Sequence, residues 1–545
     1  MFPTGLTPTN FNSFAVAPFG TMSVNSIVPI TLTMNLSMQI NQNDQFQVVF
    51  PSTTSFSYTN IIGSSPGTYG VSITGQTVLM TQQNTPATFA VDSNYLLNMF
   101  NMQAPPSTAT TDPLTAQVLR NGYPIMTGSA TLTATPASLA SQISVAVADS
   151  VVWANTTYTF TLNTANALSS AGMIRITFPS TLTPSSGSPT CAVVAGTGLT
   201  INPTCTLNTA GNYVQLAGLN DSTSDIPAQN NITIAISGVV NPPDTSTTGD
   251  FTISTYYSNS ESTIVGSGTV GGVTPTQGTI SIATVSVVPS SYVALQSGVT
   301  YTVTFTNTYA IPVGGTVRLE VPQDIGLIIG SFPTYCKLSL NGGTFVNPTC
   351  TGTLNGTYQL EYSIPAASAP VAAGSTIALQ IDTLATNPTN TRIVTGFAIR
   401  TRSSTAAIEQ LDSGITVQMT TPASFGVNTV SRSSNQNSAL ASYTITLRQE
   451  AAMPAGSKLF VTLPSELEMQ SSTCTDLSSG ALNCTLTSLV ALEVTLNSAV
   501  TSNTDFGVVI SNIKNPPSYK PLANSFVFTT KTADEISTYA TVTTL

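Results

Sequence analysis

The sequence predicts an all-β fold of four tandem immunoglobulin-like antiparallel β-sandwich domains in an extended rod. Three observations carry this expectation. Short runs that alternate apolar and polar residues recur along all 545 positions, punctuated by Gly, Pro and Asn, and no window keeps a helical period over several turns. A strand–turn–strand unit of fixed length is written four times. Six cysteines fall two by two into three of the four periods. Closed barrels are the alternative architecture.

The repeated unit is clearest at Tyr301–Pro322, YTVTFTNTYAIPVGGTVRLEVP. Tyr301, Val303 and Phe305 share one face of a strand, and Thr302 and Thr304 the other. A polar turn with Gly-Gly follows, then a second alternating strand that stops at proline, so the stretch reads as a β-hairpin. The same pattern runs from Ile30 to Pro51, Tyr158 to Pro179 and Tyr443 to Pro464. The differences 51−30, 179−158, 322−301 and 464−443 are all 21.

A Thr-Pro pair precedes each unit: Thr7-Pro8, Thr135-Pro136, Thr274-Pro275 and Thr421-Pro422. Proline stiffens such joints and cannot donate a ladder bond, so they read as short semi-rigid linkers. The domains expected from them are 14–138, 139–279, 280–424 and 425–545, behind residues 1–13 as an N-terminal linker or assembly segment. Further on, strands ending in Met99, Ile236, Ile381 and Ile510 lead to proline turns: Ala104-Pro105-Pro106, Asn241-Pro242-Pro243, Asn387-Pro388-Thr389 and Asn515-Pro516-Pro517. Alternating strands follow at Ala116–Arg120, Phe251–Thr255, Phe397–Thr401 and Phe526–Thr530.

Cysteines pair as Cys191/Cys205, Cys336/Cys350 and Cys474/Cys484, the first two pairs each closed by Asn-Pro-Thr-Cys, and domain 1 has none. An even count, pairing within repeats and the lack of any histidine favour disulfides over a metal site. The expectation is of local loop staples, each worth roughly 3 kcal/mol, and not of a bridge between sheets as in antibody domains.

Composition excludes several functions. Charged residues are 7% of the chain and the net charge is −10, with 13 basic against 23 acidic residues, so no basic footprint exists for nucleic acid. Without histidine there is no Ser-His-Asp or Cys-His nucleophile and no His-based zinc site. The acids are scattered, with no pair repeated between domains. No catalytic residues, metal ligands or cofactor are therefore expected, and the chain is read as not an enzyme. Asp221 and Asp225 could offer oxygens to Ca²⁺, but a solvated turn explains them as well. Val270–Val273, VGGV, lacks the context of a phosphate loop. Tyr158, Tyr301 and Tyr443 share one strand position, which reads as core rather than a binding platform.

No run reaches the roughly 18 apolar residues needed to span a bilayer. Neither Met1-Phe2-Pro3-Thr4-Gly5 nor the closing TYATVTTL looks like a signal or an anchor, so a processed form or a slice of a longer array is expected. Six Asn-x-Ser/Thr sequons, at Asn35, Asn155, Asn220, Asn231, Asn355 and Asn483, are N-glycosylation candidates. Asn483 abuts Cys484, and Asn231 opens a strand expected to be partly buried, so both are the poorer acceptors.

The YTxTF strand, the Gly turn, the strand-ending proline, the local cysteine pair and the Asn-Pro-Pro turn together resemble repeats in large extracellular proteins of protists, ciliates especially. The resemblance implies a secreted or surface-displayed structural glycoprotein. The expected function is thus a subunit of an extracellular filament, appendage or cell-surface coat. Its expected partners are copies of itself in a homopolymer or coat, and covalently attached glycans. Residues 1–13 or the last strand, Thr538–Leu545, are the expected subunit contacts. The alternative is a surface adhesin that binds glycans or a partner surface.

Overall fold

A computed structural model describes residues 7–544 except 57–60, 64–68, 83–89, 93, 110, 140–141, 185–188, 197–198, 200–202, 220–224, 259–262, 329–334, 369, 405, 472 and 520. The chain divides into two compact units: Met1–Pro242 with Ser246–Pro275, and Pro243–Thr245 with Thr276–Leu545. Each unit holds two sandwiches in tandem, and their strands carry the immunoglobulin-like arrangement of two facing antiparallel sheets.

The third sandwich shows the plan. One sheet runs Gly278–Thr279, Ala407–Gln418, Ile393–Arg402, Thr316–Val321, Thr357–Ser363, Cys350–Asn355; the other runs Ser286–Pro289, Val299–Thr306, Thr376–Ala385, Cys336–Leu340. The first and second sandwiches repeat this order. In the fourth, a single parallel bridge from Ala423 to Ala540 replaces the short parallel strand. The leading segment of each sandwich therefore splits: it touches the last strand in parallel, then crosses to pair antiparallel in the other sheet.

Alternation supplies the core. Ile27–Asn35 and Asn155–Asn163 both bury every second residue, and Tyr301, Val303 and Phe305 are at most 1% exposed. Their partners across the sandwich, Val317 and Leu319, are fully buried. This corrects the hairpin reading of Tyr301–Pro322. Val299–Thr306 pairs with Thr376–Ala385, while Thr316–Val321 pairs in the opposite sheet. The physical reason is that both strands have one apolar face, and burying both against each other requires the connection to arch between sheets rather than turn within one. The strands expected to end at Met99, Ile236, Ile381 and Ile510 also run further, to Gln103, Val240, Ala385 and Lys514. A shift of register lets pairing resume beyond those positions.

The N-terminal segment is partly built into the first sandwich. Thr9–Asn10 pairs in parallel with Met126–Thr127, and Phe11 is 7% exposed in the core. At the other end, Thr538–Thr544 pairs with Phe526–Lys531. Among the described residues no helix is long and apolar enough to cross a membrane.

Candidate interface: the joint end of each sandwich

One polar arrangement occurs three times at the same end of a sandwich. The Tyr158 hydroxyl donates to Asn241 Oδ1 at 2.7 Å, Tyr301 to Asn387 at 2.6 Å and Tyr443 to Asn515 at 2.8 Å. Each asparagine then donates through Nδ2 to two backbone carbonyls: Asp149 and Val151, Ser291 and Val293, Ser434 and Gln436, all at 2.7–2.9 Å. Burial pushes the Tyr158 phenol up to about 12 and raises Tyr301 as well, so these hydroxyls stay protonated donors in any physiological setting. The tyrosines are core residues, as their spacing suggested. The sequence did not reveal the buried amide that each one holds.

The proline turn has its own repeated bond. Asn25, Trp153, Leu295 and Ser438 all have φ between 56° and 61°. Their backbone N–H groups donate to Pro105, Pro242, Pro388 and Pro516 carbonyls at 3.1, 3.1, 2.7 and 3.1 Å. The turn bond, joined by the latch in the second, third and fourth sandwiches, fixes a short segment of backbone just before the positive-φ residue. That segment is where the Thr-Pro joint sits. In the first unit Thr135 bridges Ser23: Val24 N–H donates to Thr135 O at 2.9 Å and Thr135 N–H to Met22 O at 2.8 Å. In the second unit Thr421 bridges Val293: Ala294 N–H donates to Thr421 O at 2.8 Å and Thr421 N–H to Tyr292 O at 3.2 Å.

A second hook lies beyond the proline turn. Thr108 N–H donates to Ile264 O at 3.0 Å in the first unit, and Thr391 N–H to Thr538 O at 2.8 Å in the second. Val24 and Ala294 beneath the joints are 2% and 1% exposed, and Ala294 belongs to the apolar cluster of the fourth sandwich. The joints at Thr135 and Thr421 are thus packed and have paired backbone. Within a unit, consecutive sandwiches are held at two points.

The disulfides link Cys191–Cys205, Cys336–Cys350 and Cys474–Cys484, with Cα–Cα distances of 5.7, 6.2 and 6.2 Å. Although short in sequence, each joins the two sheets. Cys336 lies beside Ile381 in one sheet and Cys350 beside Tyr362 in the other, and the remaining pairs repeat this placement. This corrects the expectation of loop staples. The chain changes sheets within those few residues, so a close pair in sequence becomes a tie across the sandwich edge.

The glycan candidates differ in access. Asn155, Asn231, Asn355 and Asn483 are exposed, and Asn355 stands at the tip of a hairpin turned by Gly356. Asn231 opens a strand that is partly buried, as expected. It is the first residue of its strand and faces outward, with Oδ1 accepting from Asn163 at 2.8 Å. Asn35 is half-buried, and its amide donates to Asp92 O and Asn94 Oδ1 at 3.2 and 2.9 Å. Asn220 lies outside the described residues.

Little else is arranged for chemistry. Asp221 is outside the described residues, and Asp225 accepts from Ser170 N–H at 3.3 Å. Among the described residues no three acidic or cysteine side chains gather as a metal group. Gly272 of the VGGV run lies so close to Thr248 O that a Cβ would meet it at 1.9 Å, which explains the glycine by packing. Arg318, Arg400 and Arg402 pair with Glu320, Glu361 and Asp412 on neighbouring strands of one sheet of the third sandwich, so that charge cluster neutralises itself. Glu409 is fully buried; burial raises its carboxyl to about 7, against bonds from Thr308 N–H at 2.9 Å and the Thr401 hydroxyl at 3.3 Å.

No family model matches the chain, and no curated protein does. Among solved structures it is similar to the MSCRAMM ACE of Enterococcus faecalis, at 11% identity and TM-score 0.17, over 49% of this chain and 99% of that one. It is also similar to the C-terminal domain of AspA, an antigen I/II-family protein of Streptococcus pyogenes, at 10% identity and TM-score 0.18, over 51% and 99%. A third is red sea bream transglutaminase, at 10% identity and TM-score 0.21, over 48% of this chain and 31% of the other. Likenesses this weak carry no functional inference, and none of the three is a ciliate protein. The fold assignment stands on the strand pairing.

Proposed function

We propose that the chain is a structural subunit of an extracellular filament, appendage or cell-surface coat of the kind found in protists, assembling through its β-sandwiches and bearing N-linked glycans. The observation that carries this reading is the repeated joint. The Thr-Pro bridges at Thr135 and Thr421 pair the backbone of one sandwich with the next, and in the third sandwich the Tyr–Asn latch fixes the segment that receives the bridge. Three disulfides support an oxidising, extracellular setting. The exposed sequons at Asn155, Asn231, Asn355 and Asn483 support glycosylation. A surface whose charged residues are 7% of the chain offers little repulsion between stacked copies. The reading assigns no catalysis and no cofactor. Negative-stain microscopy of native material tests it. Filaments or sheets with a regular axial repeat are expected, whereas dispersed monomers that bind sugar would favour an adhesin.

A further inference from the structure

The fourth sandwich carries the same joint end as the first and third, and no described residue of the chain fills it. Gln436 occupies the position of Ser23 and Val293, because Ala439 O accepts from Asn515 N–H as Ser26 O does from Ala104 and Gln296 O from Asn387. Asn437 and Asn435 therefore present the N–H and C=O that Val24 and Met22 offer to Thr135, and that Ala294 and Tyr292 offer to Thr421. Asn435, Gln436 and Asn437 are all exposed. They line a groove of about 740 Å³ together with Arg432, Tyr519 and Phe526. Tyr519 is the counterpart of the second hook: 519−515, 391−387 and 108−104 are all 4, and its side chain is 92% exposed.

The chain also carries the matching plug. Thr135 and Thr421 each lie two residues before the position that pairs in parallel with the last strand (Ala137 with Gly266, Ala423 with Ala540). Thr7 lies two residues before Thr9, which pairs in the same way with Met126. Thr7 itself is exposed and followed by proline, as Thr135 and Thr421 are. The acceptor for the second hook is present too. Pro124 pairs with Leu119 as Ile264 pairs with Tyr256 and Thr538 with Lys531.

We propose that the groove at Asn435–Asn437 receives the Thr7-Pro8 segment of a second copy of this chain, making the joint between copies the same as the joint within each unit. Asn437 N–H would donate to the second copy's Thr7 O, that copy's Thr7 N–H to Asn435 O, and Tyr519 N–H to that copy's Pro124 O. The contact is heterologous, so it propagates head to tail and does not close as a two-fold dimer. The proposal rests on the filament reading and names its contact.

Cysteine cross-linking tests it. Bridged partners such as Ser23 and Thr135 are close enough for a disulfide. Mixing a Thr7→Cys chain with a Gln436→Cys chain should give a cross-linked dimer at least tenfold above either chain alone, and a chain with both substitutions should give a ladder. Asn437→Pro removes one donor and should weaken association roughly tenfold at an unchanged melting temperature. A parent chain that assembles while Thr7→Cys and Gln436→Cys never link would overturn the groove as the contact and leave the filament reading standing. A parent chain that stays monomeric at every concentration, with no cross-link, overturns both.

Discussion

The first sandwich differs from the other three in ways that sort its contacts into dispensable and indispensable. Where the others place Tyr158/Asn241, Tyr301/Asn387 and Tyr443/Asn515, it places Ile30 and Ala104, at 0% and 1% exposed. Both polar partners are replaced together. A lone buried amide or phenol costs its full desolvation, while an apolar pair in the same space costs little. The register shows the same for the disulfide. Ile61 stands beside Met99 as Cys191 stands beside Ile236, and Val71 beside Met80 as Cys205 beside Leu216. What the first sandwich keeps is the Asn25–Pro105 turn bond and the Thr135 bridge. Latch and disulfide are thus reinforcements, and the turn bond to the proline carbonyl is what all four sandwiches share.

The largest expected break in this comparison is reductive. Cys336→Ala with Cys350→Ala should lower the stability of the third sandwich by roughly 3 kcal/mol, and reductant should lower the second and fourth similarly. Melting of the first sandwich, followed by hydrogen exchange of Leu32 and Leu97, should not respond. Asn387→Ala strands the Tyr301 hydroxyl and two carbonyls and should cost about 2–3 kcal/mol in denaturant unfolding. A change below about 0.5 kcal/mol would remove the latch from the explanation.

A pH effect should be confined to the third sandwich. Glu409 is raised to about 7 in the folded state from an ordinary 4.5. Between these values the folded form binds more protons than the unfolded one, so stability rises as pH falls from about 7 toward 4.5. The gain should be on the order of 1–2 kcal/mol, and Glu409→Gln should flatten it. The equivalent positions Met126, Gly266 and Ala540 cannot titrate, so the other sandwiches should not follow. The smallest effect is a gain: Ile61→Cys with Val71→Cys should form the missing disulfide and stabilise the first sandwich by about 1 kcal/mol in the oxidised form.

Much of this architecture was legible in the sequence. The 21-residue ruler, the Thr-Pro pairs at Thr135 and Thr421 and the cysteine pairs are local patterns that mark real elements, whereas Thr274-Pro275 lies four residues before Gly278, two earlier than its counterparts stand from theirs. What escaped was which sheet each strand joins. Tyr301–Pro322 read as a hairpin because alternation tells which face is apolar, not what that face meets. The disulfides read as staples for the same reason. The latch joins residues 72–86 apart in sequence and exists only once the strands are stacked. One signal could have found it, namely the joint replacement of Tyr and Asn by Ile30 and Ala104 in the one domain that lacks cysteines.

The central claim is that this joint, repeated within the chain, is also how copies meet. Sedimentation velocity of the purified chain across a wide concentration range tests it most directly. An open-ended series of monomer, dimer, trimer and longer species, shortened by Asn437→Pro, is the predicted result. A single species at all concentrations, or a dimer that grows no further, would contradict it.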